Sequence, residues 1–272
     1  MNKEKVAIIT GAAGGIGQET ARMFCQKGYH LLLVDMATAP LEALKSQLQE
    51  ANIKNEIKVF TCDLSKTENL HSIVEECRSF WGRIDVLVNN AVWRTHDTMR
   101  TISIDDWERT LKVSITAPAF LAKWVAELME EKNIRGVIVN ISSIMSQRAG
   151  GTSPAYVASK GAIESLTYEL ASLYGPSGIR AVGVAPGNVI TPLSKDFTTP
   201  TGENISKKME ENMTDQTPLM RSAEGREIAS AICWLSSEES SFVTGTILQV
   251  DGGFSHGFNH YSLKKIQFPK EF

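Results

Sequence analysis

The chain has 272 residues, a formal net charge of −3 and a pI near 6.0. Its apolar content of 42% and charged content of 22% are typical of a globular protein with a large core, which excludes a mostly disordered chain. The slight acidic excess offers no basic surface to a phosphate backbone, so nucleic acid is excluded as a partner.

The cysteines and the first residues exclude further classes. Cys25, Cys62, Cys77 and Cys233 are scattered, without a CxxC pair or paired histidines, so we expect reduced thiols in the core and no metal site. A strand-like run begins at Lys5, which leaves no room for a signal peptide, and no apolar run reaches about 18 residues. We therefore expect a cytoplasmic protein without a membrane partner.

Short β-branched apolar runs alternate with amphipathic stretches of helical period from the start of the chain. This alternation predicts an α/β fold: one Rossmann-like, doubly wound, seven-stranded parallel sheet flanked by helices on both faces. The predicted strands are 6–10, 31–35, 58–61, 86–89, 137–142, 180–185 and 247–250. The predicted helices are 15–27, 40–51, 66–81, 104–132, 155–174 and 224–236, with Ser103 as an N-cap and Asp106 three residues later.

No linker interrupts this pattern, so residues 1–253 are expected to form a single domain, followed by a C-terminal extension at 254–272. Residues 188–218 are polar, hold three of the nine prolines and are too long for an ordinary connection, which predicts a substrate lid. Pro118 within the predicted helix 104–132 indicates a kink at that residue.

The first strand runs directly into Gly11-Ala12-Ala13-Gly14-Gly15-Ile16-Gly17 and then into a helix. Glycines allow a sharp turn and close approach to a pyrophosphate, and a helix N-terminus offers free N–H groups to the anion. Asp35 ends the second strand, where a carboxylate can accept from both ribose hydroxyls and would repel a 2′-phosphate. Neither Ala12, Ala13 nor Met36 supplies a cation for that phosphate, so the sequence favours NAD over NADP.

The second chemical signal is Tyr156 with Lys160, which the i, i+4 spacing places on one helix face, preceded by Ser142-Ser143 at a strand end. A tyrosine with a pKa of about 10 exchanges protons near neutral pH only if a nearby cation stabilises its phenolate. Lys160 can provide that cation. The pattern favours removal of the hydroxyl proton of a substrate alcohol by Tyr156, while a serine hydroxyl binds the oxygen that loses this proton.

Taken together, these motifs resemble the short-chain dehydrogenase/reductase family across almost the whole chain. The matching segments are 10–17, Cys62-Asp63-Leu64, Asn89-Asn90-Ala91, Ile141-Ser142-Ser143, 156–160, 186–192 and Val250-Asp251-Gly252-Gly253.

The resemblance implies roles for individual residues. Tyr156 is the base, Ser143 is the catalytic serine because it lies 13 residues before Tyr156, and Lys160 also holds the nicotinamide ribose. Asp63 contacts the adenine, and Val189 and Thr191 orient the carboxamide. The implied cofactor-binding residues are Gly11, Gly15, Ile16, Gly17, Asp35, Asp63, Leu64, Asn90, Ala91, Tyr156, Lys160, Pro186, Gly187, Val189 and Thr191.

Two residues depart from the family pattern. Ser114 stands where the family has a catalytic asparagine that supports a water chain to the lysine, and a hydroxyl has one donor instead of two. Val92 replaces the usual glycine after Asn-Ala, which stiffens the backbone beside the cofactor. Because of these departures, a catalytically silent nucleotide-binding member stays an alternative to an active alcohol dehydrogenase or ketone reductase.

A 3-oxoacyl thioester reductase is the main enzymatic alternative. Such reductases prefer NADPH, whereas Asp35 favours NAD. The sequence does not name the small-molecule alcohol or ketone. The residues expected in its pocket are Arg94, His96, Met145, Gln147, Arg148 and the segment 188–218. Two arginines could hold an anionic substrate group, but most arginines are solvated surface residues.

The extension 254–272 contains five aromatic residues, which are a liability in water unless they are covered. The family resemblance implies a tetramer built on the last strand and its neighbouring helix. We therefore expect a homotetramer in which the extension packs across a subunit interface, reaching a neighbour's active-site rim, whereas a frayed terminus is the simpler reading.

Overall fold

The computed structural model describes residues 4–51, 54–199 and 201–272. Within these ranges the strands are β1 (Val6–Thr10), β2 (His30–Asp35), β3 (Ile57–Thr61), β4 (Val86–Asn89), β5 (Val137–Ile141), β6 (Arg180–Pro186), β7 (Val189–Ile190), β8 (Ala223–Glu224) and β9 (Thr246–Val250). Seven of them form one parallel sheet in the order β3-β2-β1-β4-β5-β6-β9. The predicted single doubly wound sheet is confirmed, with strand ends shifted by one residue at most.

Helices cover both faces of the sheet, as the continuous apolar strands require. They are α1 (Gly15–Gln26), α2 (Thr38–Glu50), α3 (Leu70–Trp81), α4 (Ile104–Leu111), α5 (Ala117–Glu131), α6 (Pro154–Tyr174), α7 (Ser206–Gln216), α8 (Gly225–Leu235) and α9 (Tyr261–Gln267). One core layer packs Phe24, Leu44 and Ile232 on the sheet, and the other packs Ile73, Leu121 and Leu170. All four cysteines are buried and unpaired, as expected.

The strand order positions the site. From β1 the chain moves to β2 and β3 on one side, and then returns to β4 on the other side of β1. In an open parallel sheet, this reversal leaves a crevice at the carboxyl ends of the two strands, where ligands bind. The glycine-rich turn follows β1, and the Asn90-Ala91 pair follows β4.

The predicted helix 104–132 is interrupted, and the predicted kink at Pro118 is placed too late. Helix α4 ends at Leu111, a π-helical turn spans Lys112–Thr116, and Pro118 lies in the first turn of α5. The physical reason is that Pro118 has no N–H, so the carbonyl of Ser114, four residues earlier, has no α-helical partner. Ser103 caps α4 as predicted, because its Oγ accepts from the Asp106 N–H at 3.0 Å.

Residues 188–218 contain more regular structure than the sequence indicated. Strand β7 pairs in parallel with β8, forming a second, two-stranded sheet, and α7 occupies 11 residues of the segment. Helix α7 escaped sequence reasoning because none of its residues is buried, so it lacks an apolar stripe. In the described ranges, no helix has the length and apolar character needed to cross a bilayer.

Candidate active site

The glycine-rich turn after β1 is packed too closely to accept side chains. Gly11 has a φ of 63°, and a Cβ there would lie 2.7 Å from the Cα of Ala91. A Cβ on Gly17 would collide with the carbonyl oxygen of Gly11. Among the described residues no side chain caps α1, so its first N–H groups stay available to an anion. The turn therefore fits a pyrophosphate.

Asp35, at the carboxyl end of β2, braces this turn. Its Oδ2 accepts from the Ala13 N–H at 3.0 Å, and its Oδ1 accepts from the Ala37 N–H at 3.3 Å. No lysine or arginine of the described ranges forms an ion pair with it, and the neighbouring Met36 is 53% exposed. The carboxylate thus has backbone N–H groups as partners and no cation beside it among the described residues.

Asn90 and Ala91 fasten the loop after β4 to β1. The Asn90 Nδ2 donates to the carbonyl oxygens of Thr10 and Gly11, both at 3.0 Å. The Thr10 Oγ1 accepts from the N–H groups of Asn90 at 3.0 Å and Ala91 at 3.1 Å. Both residues therefore fix the floor of the crevice, where sequence reasoning predicted cofactor contacts.

Asp63, the residue expected at the adenine, lies two residues beyond the end of β3. Its Oδ1 accepts from the N–H of Ser65 at 3.0 Å and from the Ser65 hydroxyl at 2.8 Å. Its Oδ2 lies 3.7 Å from Arg109, whose guanidinium stacks 3.7 Å from the centroid of the Trp93 ring. The adjacent Leu64 is buried.

The segment after β6 closes the other side of the crevice. The Gly187 N–H donates to the Val250 carbonyl at 3.0 Å, and a Cβ on Gly187 would lie 2.8 Å from the Cα of Asp251. A Cβ on Gly15 would lie 2.7 Å from the Thr191 side chain. Thr191 therefore lies against the glycine turn. One large cavity is bordered by Ile16 of that turn and by Pro186, Gly187, Val189 and Thr191.

Ser143, Tyr156 and Lys160 form one wall of that cavity, whose volume is about 810 Å³. Tyr156 and Lys160 lie one turn apart on α6, with the Lys160 Nζ 5.4 Å from the centroid of the Tyr156 ring. The Lys160 ammonium donates to the Ile141 carbonyl at the end of β5. Ser143 follows β5, and its Oγ accepts from the Met145 N–H at 3.1 Å.

The electrostatics of this wall are dominated by burial. Burial raises the pKa of Tyr156 above its ordinary value, while the hydrogen bond with Ser143 and the charge of Arg94 lower it. Burial also lowers the pKa of Lys160 to about 8. Both charged forms are thus costly without a partner, and a phenolate beside an ammonium satisfies both groups.

Sequence reasoning missed Glu164, a buried carboxylate behind this wall. Its Oε1 accepts from the hydroxyls of Ser142 at 2.7 Å and Ser146 at 2.6 Å. It therefore anchors the end of β5 and the turn that follows Ser143. The signal was available: Tyr156, Lys160 and Glu164 recur every four residues on one face of α6, and a charged residue in a buried row requires partners.

Ser114 lies in the π-turn between α4 and α5 and is 2% exposed. Its Oγ has no hydrogen-bond partner among the described residues. A buried hydroxyl in this state usually binds a water molecule. The position is therefore compatible with the water relay that the family resemblance implied, with a hydroxyl in place of an amide.

The expected pocket residues separate into two groups. Arg94, Met145 and Arg148 border the cavity, whereas His96 and Gln147 do not. His96 contacts Asp196 at 3.3 Å, and the Oε1 of Gln147 accepts from Gln249 at 3.1 Å. The segment 188–218 covers the cavity with residues from its loop and from α7: Leu193, Lys195, Phe197, Met209, Glu210, Met213 and Gln216.

The C-terminal extension packs on α7 of its own chain. The Oδ1 of Asp215 accepts from the Ser262 N–H at 2.8 Å, and its Oδ2 lies 3.2 Å from the His260 Nδ1. Nearer its start, Arg148 donates to the Ser255 carbonyl at 3.0 Å. The reading of a frayed terminus is therefore wrong, and the extension supports the helix that covers the cavity.

Comparison with known proteins agrees with this geometry. The family profile described as enoyl-(acyl carrier protein) reductase matches residues 11–255. The chain is 32% identical over 254 residues to 3beta-hydroxysteroid dehydrogenase 2 of Eggerthella lenta, covering 92% of this chain and 95% of that protein.

Two solved structures share the fold. Levodione reductase superposes with a TM-score of 0.88 at 28% identity, over 93% of this chain and 98% of its own. The structure of 4-hydroxyisoleucine dehydrogenase complexed with NADH gives 0.83 at 29% identity, over 94% and 100%.

The fold and the site define an oxidoreductase that uses a nicotinamide cofactor and acts on alcohols or ketones. The chain belongs to the short-chain dehydrogenase/reductase family.

Proposed function

We propose that this chain transfers a hydride between NAD(H) and a secondary alcohol or ketone, with Tyr156 as the general acid and base. The observation that carries the proposal is the convergence of Ser143, Tyr156 and Lys160 on one wall of the cavity that the glycine turn also borders. A proton-transfer group, an oxygen-binding hydroxyl and a cation thus meet beside the crevice that fits the dinucleotide.

NAD supplies the acceptor for the hydride that leaves the carbinol carbon. The proton of the substrate hydroxyl passes to the Tyr156 oxygen as the carbon–oxygen double bond forms, so the alcohol loses two electrons and two hydrogens. The Ser143 hydroxyl donates to the same substrate oxygen, since the acceptor side of Ser143 already receives the Met145 N–H. In reduction, Tyr156 returns the proton.

Lys160 stabilises the phenolate form of Tyr156 that alcohol oxidation requires. It also relays the proton that Tyr156 takes from the substrate to solvent, through water near Ser114. The buried, unpartnered hydroxyl of Ser114 supports this route. We also propose that Lys160 holds the nicotinamide ribose.

We propose NAD as the cofactor in preference to NADP. The support is the Asp35 carboxylate at the ribose end of the crevice and the absence of an ion-pair partner for it among the described side chains. The residues proposed to hold NAD are Gly11, Gly15, Ile16, Gly17, Asp35, Asp63, Leu64, Asn90, Ala91, Tyr156, Lys160, Pro186, Gly187, Val189 and Thr191.

Residues 188–218 are proposed as the substrate lid of a domain that spans 1–253, because many of their side chains line the cavity that Tyr156 also borders. The homotetramer is a proposal supported by the exposed side chains of Trp234 on α8 and of Phe242, four residues before the edge strand β9. The cytoplasmic location stays a prediction.

A 3-oxoacyl thioester reductase is the second candidate, since the chain is also 30% identical over 249 residues to a 3-oxoacyl-[acyl-carrier-protein] reductase of Thermotoga maritima. Asp35 argues against this candidate, because such reductases prefer NADPH and Asp35 favours NAD. The presence of Ser143, Tyr156 and Lys160 argues against a catalytically silent nucleotide-binding protein.

One assay separates the three candidates. Purified protein is given NAD or NADP with a panel of secondary alcohols, or NADH or NADPH with ketones and acetoacetyl thioesters. The proposal expects NAD-dependent turnover of alcohols. NADPH-dependent thioester reduction alone would favour the second candidate, and NADH binding without turnover across the panel would favour the silent protein.

A further inference from the structure

Arg94 is a buried cation on the substrate side of the cavity. Its side chain is 10% exposed, it borders the same cavity as Tyr156, and its charge acts on the Tyr156 phenol. Its Nε is buried and has no hydrogen-bond partner in the part of the chain that the structure describes. A buried guanidinium N–H without an acceptor is costly, which indicates that a ligand supplies the acceptor.

The hydrogen bonds that Arg94 makes among the described residues use one nitrogen, and its guanidinium carbon lies 5.2 Å from the centroid of the Phe197 ring. Its Nη2 donates to the Leu193 carbonyl at 2.9 Å and lies 3.3 Å from the Asp196 Oδ1 and 3.2 Å from the His96 Nε2. Asp196 is 49% exposed, so its ion pair with Arg94 faces solvent and is weak. The Nε, in contrast, is buried and donates to no acceptor among the described residues.

Charges around the cavity support an anionic ligand. The cavity-lining side chains include one carboxylate, Glu210, against five cations: Arg94, Arg148, Lys160, Lys195 and Lys207. Lys160 is bound to the Ile141 carbonyl, and Arg148 donates to carbonyls of the C-terminal extension. Lys195 and Lys207 are exposed at the rim. Arg94 also donates to a carbonyl, that of Leu193, but of these five cations it is the one with a buried N–H that has no acceptor in the described ranges.

We propose that Arg94 binds a carboxylate of the substrate, so that this chain acts on hydroxy acids and their oxo acids. The inference rests on the proposed function and adds the substrate class to it. A carboxylate suits this site because a guanidinium presents N–H groups in a planar fork, which two carboxylate oxygens match.

A binding experiment tests Arg94 independently of turnover. Pentanoate and its primary amide, pentanamide, which lack a carbinol, are titrated calorimetrically into the full chain saturated with NADH. A charge-assisted hydrogen bond predicts a Kd for pentanoate about 10- to 100-fold below that of pentanamide. Arg94→Gln should abolish this preference, and Arg94→Lys, which keeps the charge without the fork, should retain part of it.

Two controls isolate the role of Arg94. Arg148→Gln removes another cavity cation and should keep the carboxylate preference. Asp196→Asn removes the ion pair across the lid and should also keep it. No preference in the wild type, a preference that survives in Arg94→Gln, or an equal loss in Asp196→Asn would overturn the proposal, the last by showing that Arg94 acts only as a latch.

Steady-state kinetics then test the carboxylate proposal separately from the proposed oxidoreductase activity. NADH formation is compared for 3-hydroxybutanoate, 4-hydroxypentanoate and 5-hydroxyhexanoate, each beside its primary amide. At least one acid should exceed its amide in kcat/KM by about ten-fold or more. Equal turnover of acids and amides would overturn the carboxylate proposal and leave the proposed function standing. Carboxylate preference in the titration with no turnover of any pair would overturn the proposed function and leave Arg94 as an anion-binding residue.

Discussion

The Ser142 hydroxyl donates to the Glu164 Oε1 at 2.7 Å, which ties the first serine of the Ser142-Ser143 pair to the wall behind the site. The Ser143 Oγ accepts from the Met145 N–H, so its hydrogen can be donated to the Tyr156 oxygen and, when substrate binds, to the substrate oxygen. This difference gives a physical basis for Ser143 as the oxygen-binding serine. Family spacing had indicated the same residue without a mechanism.

The two serines should respond differently to alanine. Ser143→Ala is expected to lower kcat/KM by about 10²-fold, because a donor to the reacting oxygen is lost. Ser142→Ala should act mainly on stability, by about 1–3 kcal/mol, since it removes one donor from buried Glu164. Steady-state kinetics and urea unfolding of both variants provide the comparison. A larger kinetic defect in Ser142→Ala than in Ser143→Ala would reverse the assignment.

The pH profile offers a second test of the same hydroxyl. Alcohol oxidation needs Tyr156 without its proton, so kcat/KM should rise as pH increases through the Tyr156 pKa. Burial raises that pKa and the Ser143 hydrogen bond lowers it. Ser143→Ala should therefore move the rising limb to higher pH, measured between about pH 6 and about pH 10. An unmoved limb, or one moved to lower pH, would separate Ser143 from Tyr156.

The fold was largely predictable because each strand of the main sheet is a short apolar run, and β1 is buried along its whole length. Helix α7 could not be predicted, since its residues are solvated and show no helical period of apolar side chains. The π-turn at Lys112–Thr116 arises from backbone pairing around Pro118, which a side-chain pattern does not reveal.

The site was predictable where the chemistry lies in local spacing, as in Tyr156 and Lys160. Long-range partners were not. The hydrogen bond from Arg148 to the Ser255 carbonyl joins residues 107 positions apart, and no pattern in the sequence predicts it. The same holds for Asp215 and Ser262, whose bond fixes the extension on its own chain.

Cofactor preference should follow the end of β2. Asp35→Ser combined with Met36→Arg is expected to shift the ratio of kcat/KM values towards NADP, because repulsion is removed and a phosphate partner is added. Met36→Arg alone serves as the control and should shift the ratio less. A wild type that already prefers NADP would contradict our interpretation of Asp35.

The contact between the extension and α7 should affect substrate binding. Asp215→Ala removes the acceptor for Ser262 and His260, and we expect a lower Tm and a higher KM, because α7 covers the cavity. Glu211→Ala, on the same helix, breaks only an exposed pair with Lys207 and should change neither. Truncation after Gly253 should have a larger effect, and the mass of the truncated protein in solution tests the proposed tetramer.

Unchanged Tm and KM in both Asp215→Ala and the truncated protein would show that the extension does not support the lid. A lower oligomeric mass after truncation, with KM unchanged, would place its role at a subunit interface.

The most direct measurement is NAD reduction by Tyr156→Phe beside Tyr168→Phe, which lies on the same helix but is 46% exposed. Each variant loses one phenolic hydroxyl and keeps its ring. We predict that Tyr156→Phe loses at least about 10²-fold in kcat while NADH binding is nearly intact, and that Tyr168→Phe matches the wild type. Turnover by Tyr156→Phe near the wild-type rate would contradict the account and place the proton transfer on another group.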